Sequence, residues 1–416
     1  MKFLSLGYLL PIIMATRCVR SFQLRFATPN FRLAVTKSET RSTSLYNNRW
    51  GQSPSQRLLR QDYCFLSSRL FSASDDAGEK KRVVFLGTPE VAATTLRKLH
   101  EDSAGGNYDI VCVITQPPKR RKRKGKAEPS PVGAAAEELG LPVLSPEKAN
   151  NKEFLDSLEQ EIKPDLFITA AYGQYLPKRF LATPSLGTVN IHPSLLPRWR
   201  GASPVQRSLE AGDNPVGVTV LYTVSKMDAG PIIAQKKETI DDLNSDDATA
   251  TNVLPWLFEI GTDLLIESMP DILSGAVTFD TAKSQDEEEV VQAAMIDSSE
   301  AEMKPWEETA SAMHNRLRGF SMWPGAFVYL EVGEGSDPVK YKILKTKLLD
   351  ETAEGGSTDV VERGPSKKDG LRLVCFDGSI LEINRLQPAT KKPVDALSFI
   401  NGLQGRTVRY VKTQEE

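Results

Sequence analysis

The sequence predicts an open α/β domain followed by a small antiparallel β-barrel of OB-like form. Three observations carry this. From Lys81 to about Asp228, apolar strands alternate with helical stretches, the pattern of a mostly parallel sheet buried on both faces. Beyond Pro305 the pattern changes to several closely spaced β-patterned runs, as in a small barrel. One of these contains Asp377-Gly378 between two alternating segments, a strong hairpin signal.

Residues 83–86 (VVFL) form the first apolar strand, Gly87 a turn, and an amphipathic helix follows to about His100. YDIVCVIT (108–115) is the next strand. A basic loop, a helix around 134–139, the short strand PVLS and a helix near 152–162 come after it. DLFITAAYG and GTVNIH are two more strands. GPIIAQKKETI reads as a strand, 248–268 as a helix, and 284–304 as a polar, acidic linker. WEETASAMHNRLRGF is then helical, and GAFVYLEV, VKYKILKTKLLD and LRLVCFDGSILEINRL are β-patterned. The resulting boundaries are 1–74, 81–283, 284–304 and 305–414.

Residues 1–74 hold nine Arg and two Lys against Glu39 and Asp62, a local charge of +9, whereas the rest of the chain carries −11. An Arg-rich, Ser-rich, acid-poor start reads as a targeting presequence, and Arg69-Leu70-Phe71-Ser72 is similar to a mitochondrial processing site. The apolar run FLSLGYLLPIIMA (3–15) also suits a bipartite plastid leader, so the mitochondrial matrix is the first expectation and a plastid the alternative. No later apolar run approaches the ~20 residues that span a bilayer, and no stable membrane association is expected. Cys18 and Cys64 fall in the leader; Cys112 and Cys375 sit in strand-like runs without metal-ligand spacing and read as core thiols. No metal is expected.

One stretch stands apart: TVNIHPSLLPRWRGASPVQ (188–206), with one of only three histidines. Asn190 and His192 have period-two spacing, so on a strand both side chains leave one face. They lie at the carboxyl end of a presumed parallel strand, where open α/β sheets bind ligands. Spacing alone leaves His192 open to a structural or a catalytic role; His100 and His314 fall on helical faces and read as structural. Asp228, in the turn of SKMDAGPII, can reach back across the sheet edge. Asn190, His192 and Asp228 together suit acyl transfer to an amine: Asn190 and a protonated His192 would stabilise an oxyanion, and Asp228 would orient His192. Gly87-Thr88-Pro89-Glu90 lacks two glycines of a dinucleotide fingerprint and reads as a structural turn.

With FLGTPE, QPP…PSPV, AAYGQYLP, SLLPRWRGASPVQRSL, MDAGPI, RGFSMWPGA and LQPATKKP, the chain from about Lys81 to Val411 resembles the folate-dependent formyltransferases, and in its longer match those that act on methionyl-tRNA. The resemblance implies a Rossmann-like catalytic domain and an OB-like tRNA-binding domain. It further implies formyl transfer from 10-formyltetrahydrofolate to the α-amino group of methionyl initiator tRNA. A monomer is expected. By the same resemblance Ser194, Leu195, Leu196 and Pro197 border the folate.

Between a strand and a helix, Lys119, Arg120, Arg121, Lys122, Arg123, Lys124 and Lys126 place seven cations in eight positions. Such a run is usually a solvated surface. In an otherwise acidic mature chain it suits RNA phosphates, and the family has an insertion here that contacts the acceptor end. A sugar-amine or glycinamide ribonucleotide formyltransferase, or a formyltetrahydrofolate hydrolase, would share the Asn-His-Asp core but would not require this loop together with the barrel. A non-catalytic RNA-binding protein would leave Asn190, His192 and Asp228 unexplained. The leader carries its own prediction: residues 1 to ~72 are removed on import, so N-terminal sequencing of organelle-purified protein should begin near Ser72, and a retained Met1 would refute it.

Overall fold

The computed structural model describes residues 79–120, 125–240, 248–353, 359–366 and 368–412. The leader, including Cys18 and Cys64, lies outside them, as do Arg121, Lys122, Arg123 and Lys124.

The α/β domain is a seven-stranded sheet. Its strands are β1 (Lys81–Gly87), β2 (Tyr108–Ile114), β5 (Val143–Leu144), β6 (Leu166–Ala170), β7 (Thr188–His192), β9 (Val216–Tyr222) and β10 (Ile232–Glu238). Their order is β10-β9-β7-β6-β1-β2-β5. The five strands from β5 to β7 run parallel, while β9 and β10 add an antiparallel edge. On one face pack α1 (Glu90–Ser103), α2 (Pro131–Glu138) and α6 (Ala250–Ser274), burying Leu96, Val132, Phe258 and Leu265 against Phe85, Ile168, Ile191 and Val220. On the other, Phe180 of α4 (Lys178–Leu181) packs on Phe167, and Phe154 of α3 (Lys152–Ser157) stacks on Phe180. Two-sided cover explains the unbroken apolar strands. Gly261 lets α6 approach β7: a Cβ there would sit 2.6 Å from a methyl of Ile191, the residue between Asn190 and His192.

Local chemistry sets the helix starts. Ser130 accepts a hydrogen bond from the Gly133 N–H, with Pro131 at the first helical position. Asn151 caps α3 through the Phe154 N–H. α6 continues to Ser274, past the expected end at 268, and stops at Gly275 in the left-handed region.

The barrel sheet runs β14-β15-β16-β13-β12-β18, from β12 (Ala326–Val332), β13 (Val339–Thr352), β14 (Glu362–Arg363), β15 (Leu371–Val374), β16 (Ser379–Pro388) and β18 (Val408–Tyr410), with β17 (Val394–Asp395) paired to β16. A bridge from Val360 to Arg409, with Val361 N donating to Val408 O, brings the two edges together into a near-closed barrel. Asp377-Gly378 forms the expected hairpin between β15 and β16, with Gly378 at φ +82°. The helix expected from Trp306 starts only at Ala310: α7 (Ala310–Gly319) begins where Thr309 accepts from the Ala312 N–H, a cap worth ~1 kcal/mol.

The acidic stretch 284–304 is more than a connection. Its β11 (Val291–Ala293) pairs in parallel with β8 (Arg198–Gly201), and residues 298–301 form a 3-10 turn capped by Asp297. Arg207 of α5 (Pro204–Glu210) then pairs with Glu300 at 2.8 Å. Cys112 and Cys375 are free, buried thiols, and burial pushes Cys112 up to about 12.

His314 on α7 is structural, with Nδ1 2.9 Å from the Thr346 hydroxyl. Burial first, and Arg318 second, push its pKa down to about 4. The unfolded ring titrates near ~6.5, so the folded state favours the neutral form. That stabilisation is complete above the unfolded value and is lost as pH falls towards about 4. The urea midpoint should therefore fall between pH ~7 and ~5, with a contribution of ~1–2 kcal/mol after discounting for partial exposure. His314→Gln should flatten this dependence, and an unchanged pH slope in that variant would exclude His314 as the cause.

Candidate active site

β7 ends where the chemistry is expected. Asn190 is half-buried, and its Oδ1 lies 2.8 Å from the Thr169 hydroxyl on β6. With that hydroxyl donating, the Asn190 NH2 faces away from β6, and it has no protein partner among the described residues. Thr169 was not singled out by the sequence. It is a polar residue in an apolar strand, which is the only signal it carries.

His192 is 4% exposed. Its Nε2 lies 2.9 Å from the Trp199 carbonyl, and its Nδ1 faces Asp228 Oδ2 at 3.8 Å, ion-pair reach but longer than a hydrogen bond. The structure thus brings Asn190, His192 and Asp228 together, with both imidazole nitrogens turned towards protein groups. Asp228 Oδ2 also accepts a hydrogen bond from the Gly201 N–H at 2.9 Å.

Two non-glycine residues here hold left-handed backbone, Trp199 at φ +67° and Asp228 at φ +50°. Such residues cost ~1–3 kcal/mol each and persist only where neighbours fix them. Trp199 Nε1 donates to Asp213 Oδ2 at 2.6 Å, and the Arg198 guanidinium stacks 5.2 Å from the indole centroid while also pairing with Asp213. Arg200 turns inward: it is 1% exposed, with Nε donating to Gln285 and Nη1 to Glu287, both at 2.9 Å. Lys226 first, and Arg200 second, hold the Glu287 carboxyl below its usual range. The Pro-Arg-Trp-Arg cluster therefore fixes the floor beneath His192.

Ser194, Leu195, Leu196 and Pro197 are tied to the antiparallel edge. Ser194 Oγ donates to the Arg198 carbonyl, Leu196 N donates to Thr219 Oγ1, and Gln235 donates to the Leu196 carbonyl. Ser194 and Leu196 are buried, leaving Leu195 and Pro197 half-buried. A cavity of about 260 Å³ lies beside this loop, lined by Leu195, Arg198, Trp199, Asp213 and Gly217 and not by Asn190, His192 or Asp228.

The basic loop contains a short hairpin, β3 (Lys119–Arg120) against β4 (Ala127–Glu128), with Lys119, Arg120 and Lys126 exposed. A second basic surface was legible but not singled out. Alternation along β13 buries Tyr341, Ile343 and Thr346 and exposes Lys340, Lys342, Lys345 and Lys347. Lys340 Nζ lies 3.4 Å from the Phe327 ring centroid. Lys391 and Lys392 are exposed beyond β16.

A mostly parallel sheet followed by a near-closed barrel is the architecture of the formyl transferases, and the chain belongs to that family of transferases. Residues 81–254 match the formyl transferase family model and residues 296–404 its C-terminal domain. The chain is 38% identical over 321 residues to the methionyl-tRNA formyltransferase of Listeria monocytogenes, covering 77% of this chain and 95% of that protein. It is 37% identical over 320 residues to that of Lysinibacillus sphaericus, with the same coverage. Among solved structures, the N-formyltransferase from Helicobacter canadensis, in complex with folinic acid and dTDP-3-aminofucose, shares the fold at a TM-score of 0.51 and 15% identity, over 74% of this chain and 99% of that one.

Proposed function

We propose that this enzyme transfers the formyl group of 10-formyltetrahydrofolate to the α-amino group of methionyl initiator tRNA, for translation initiation in an organelle. The observation that carries the reading is the joining, in one chain, of an Asn190–His192–Asp228 cluster and a segment of sequence with seven cations in eight positions. Identity of 38% to a methionyl-tRNA formyltransferase across nearly its whole length supports the tRNA substrate. The leader's charge supports import into the mitochondrial matrix, with a plastid as the alternative.

The site suits the formyl donor because the Asn190 NH2 lacks a protein partner among the described residues. Leu195 and Pro197 offer half-buried apolar contact to the folate portion, with Ser194 and Leu196 holding the loop behind them. The amine attacks the formyl carbon, the carbon–nitrogen bond to folate breaks, and its electron pair leaves on the folate nitrogen. That nitrogen gains a proton and the amine loses one. Asn190 donates to the oxyanion that develops on the formyl oxygen. His192 exchanges its contact with the Trp199 carbonyl for the same oxygen, and Asp228 closes on Nδ1, as catalytic hydrogen bonds commonly tighten on substrate binding.

Asn190→Ala, His192→Ala and Asp228→Asn should each lower kcat by about 10²–10³, the range for a lost oxyanion donor, and double variants should lose much less than the product. Steady-state formylation of charged initiator tRNA reads this out; near-normal turnover in His192→Ala would remove the mechanism.

Replacing residues 119–124 by Ser or Gln should leave 10-formyltetrahydrofolate binding intact, raise the KM for tRNA and flatten its salt dependence. Each lost phosphate contact should reduce the slope by about 0.7–0.9. An unchanged KM and slope would make the loop a solvated surface and move the RNA contact to β13 and Lys391–Lys392.

A further inference from the structure

We propose that Gln285 is a positioning residue for Asp228, supplied by the segment that leads out of the catalytic domain. The proposal rests on the transfer reaction above. The Gln285 amide is fully used: Nε2 donates to the Asp228 carbonyl at 2.8 Å and to the Gly230 carbonyl at 2.7 Å, while Oε1 accepts from Arg200 Nε at 2.9 Å. A primary amide has two N–H donors, and both are spent on the turn that carries Asp228.

That turn needs an external hold. Asp228 is a non-glycine residue at φ +50°, and a Cβ on Gly230 would collide with the Tyr222 carbonyl, so the turn is pressed against the end of β9. Fixing the Asp228 and Gly230 carbonyls fixes the 228–229 and 230–231 peptide planes at the two ends of the turn, and the first of these sets the direction in which the Asp228 side chain leaves.

The carboxylate is held by the same segment from its other end. Asp228 Oδ2 rests on the Gly201 N–H, and Gly201 pairs with Ala293 of β11 so closely that a Cβ would strike the Ala293 carbonyl. Residues 285 and 293 thus fix, respectively, the backbone of Asp228 and the donor on which its carboxylate sits. Gln285 is itself anchored by the buried Arg200, whose Nη1 is bonded to Glu287.

The test compares Gln285→Glu with Gln285→Ala. Glutamate keeps the length and the acceptor for Arg200 but turns lone pairs towards the two carbonyls, so it removes the positioning donors without removing the anchor. Both variants should lower kcat at least about 10-fold, leave the KM for 10-formyltetrahydrofolate and for methionyl-tRNA within about two-fold, and speed hydrogen exchange at the Gly201 amide while β13 amides exchange as in the parent. A parental kcat, with or without a lower melting temperature, would make Gln285 a fastener of the fold only and overturn the proposal, as would unchanged exchange at Gly201. If the parent enzyme itself formylates no tRNA, the proposed reaction fails, and exchange at Gly201 still decides whether Gln285 holds Asp228.

Discussion

The guanidinium of Arg200 has 1% of its surface exposed, and much of the site follows from compensating it. A buried charge left without partners costs several kcal/mol. The partners are Gln285 and Glu287, 85 and 87 residues downstream, so the chain must return to the sheet edge after the long helix α6. Once there, it adds β11 beside β8, presses Ala293 onto Gly201, and sets the N–H on which Asp228 rests. Arg198 and Trp199 turn the other way, towards Asp213, and the Trp199 carbonyl meets His192. Three consecutive residues thereby serve three different parts of one site.

The charge distribution separates two tasks. Two acidic side chains of the 284–304 stretch pair with cations of this chain, Glu287 with Arg200 and Lys226, and Glu300 with Arg207. The exposed cations of β3 and of β13 lie on different domains. The field of such exposed cations is screened by salt, whereas the Asn190 cluster lies in partial burial where screening is weak.

What the sequence disclosed divides by range. The sheet, the Asp377-Gly378 hairpin and the common face of Asn190 and His192 depend on periodicity of two or on a dipeptide turn, and each was legible locally. The start of α7 was read four residues early because Trp306, Glu307 and Glu308 favour helix, whereas the Thr309 side chain caps the chain only there. Thr169 and Gln285 were not legible. Each acts through a hydrogen bond to a residue 21 or 57 positions away, and no local pattern marks which polar side chain will find such a partner. The loop of residues 194–197 was assigned by resemblance, and its Ser194 hydroxyl is spent on the Arg198 carbonyl.

The contact between Gly201 and Ala293 bears on how such a chain could be recombined with others. By element pattern, a modular boundary falls near 283, after α6 and before the acidic stretch. By energy it falls beyond Ala293, because everything up to that residue completes the floor under His192 and neutralises Arg200. A chimaera cut at the earlier point would part Arg200 from its own partners, Gln285 and Glu287. The nine residues from Gln285 to Ala293 therefore belong with the catalytic side of this chain.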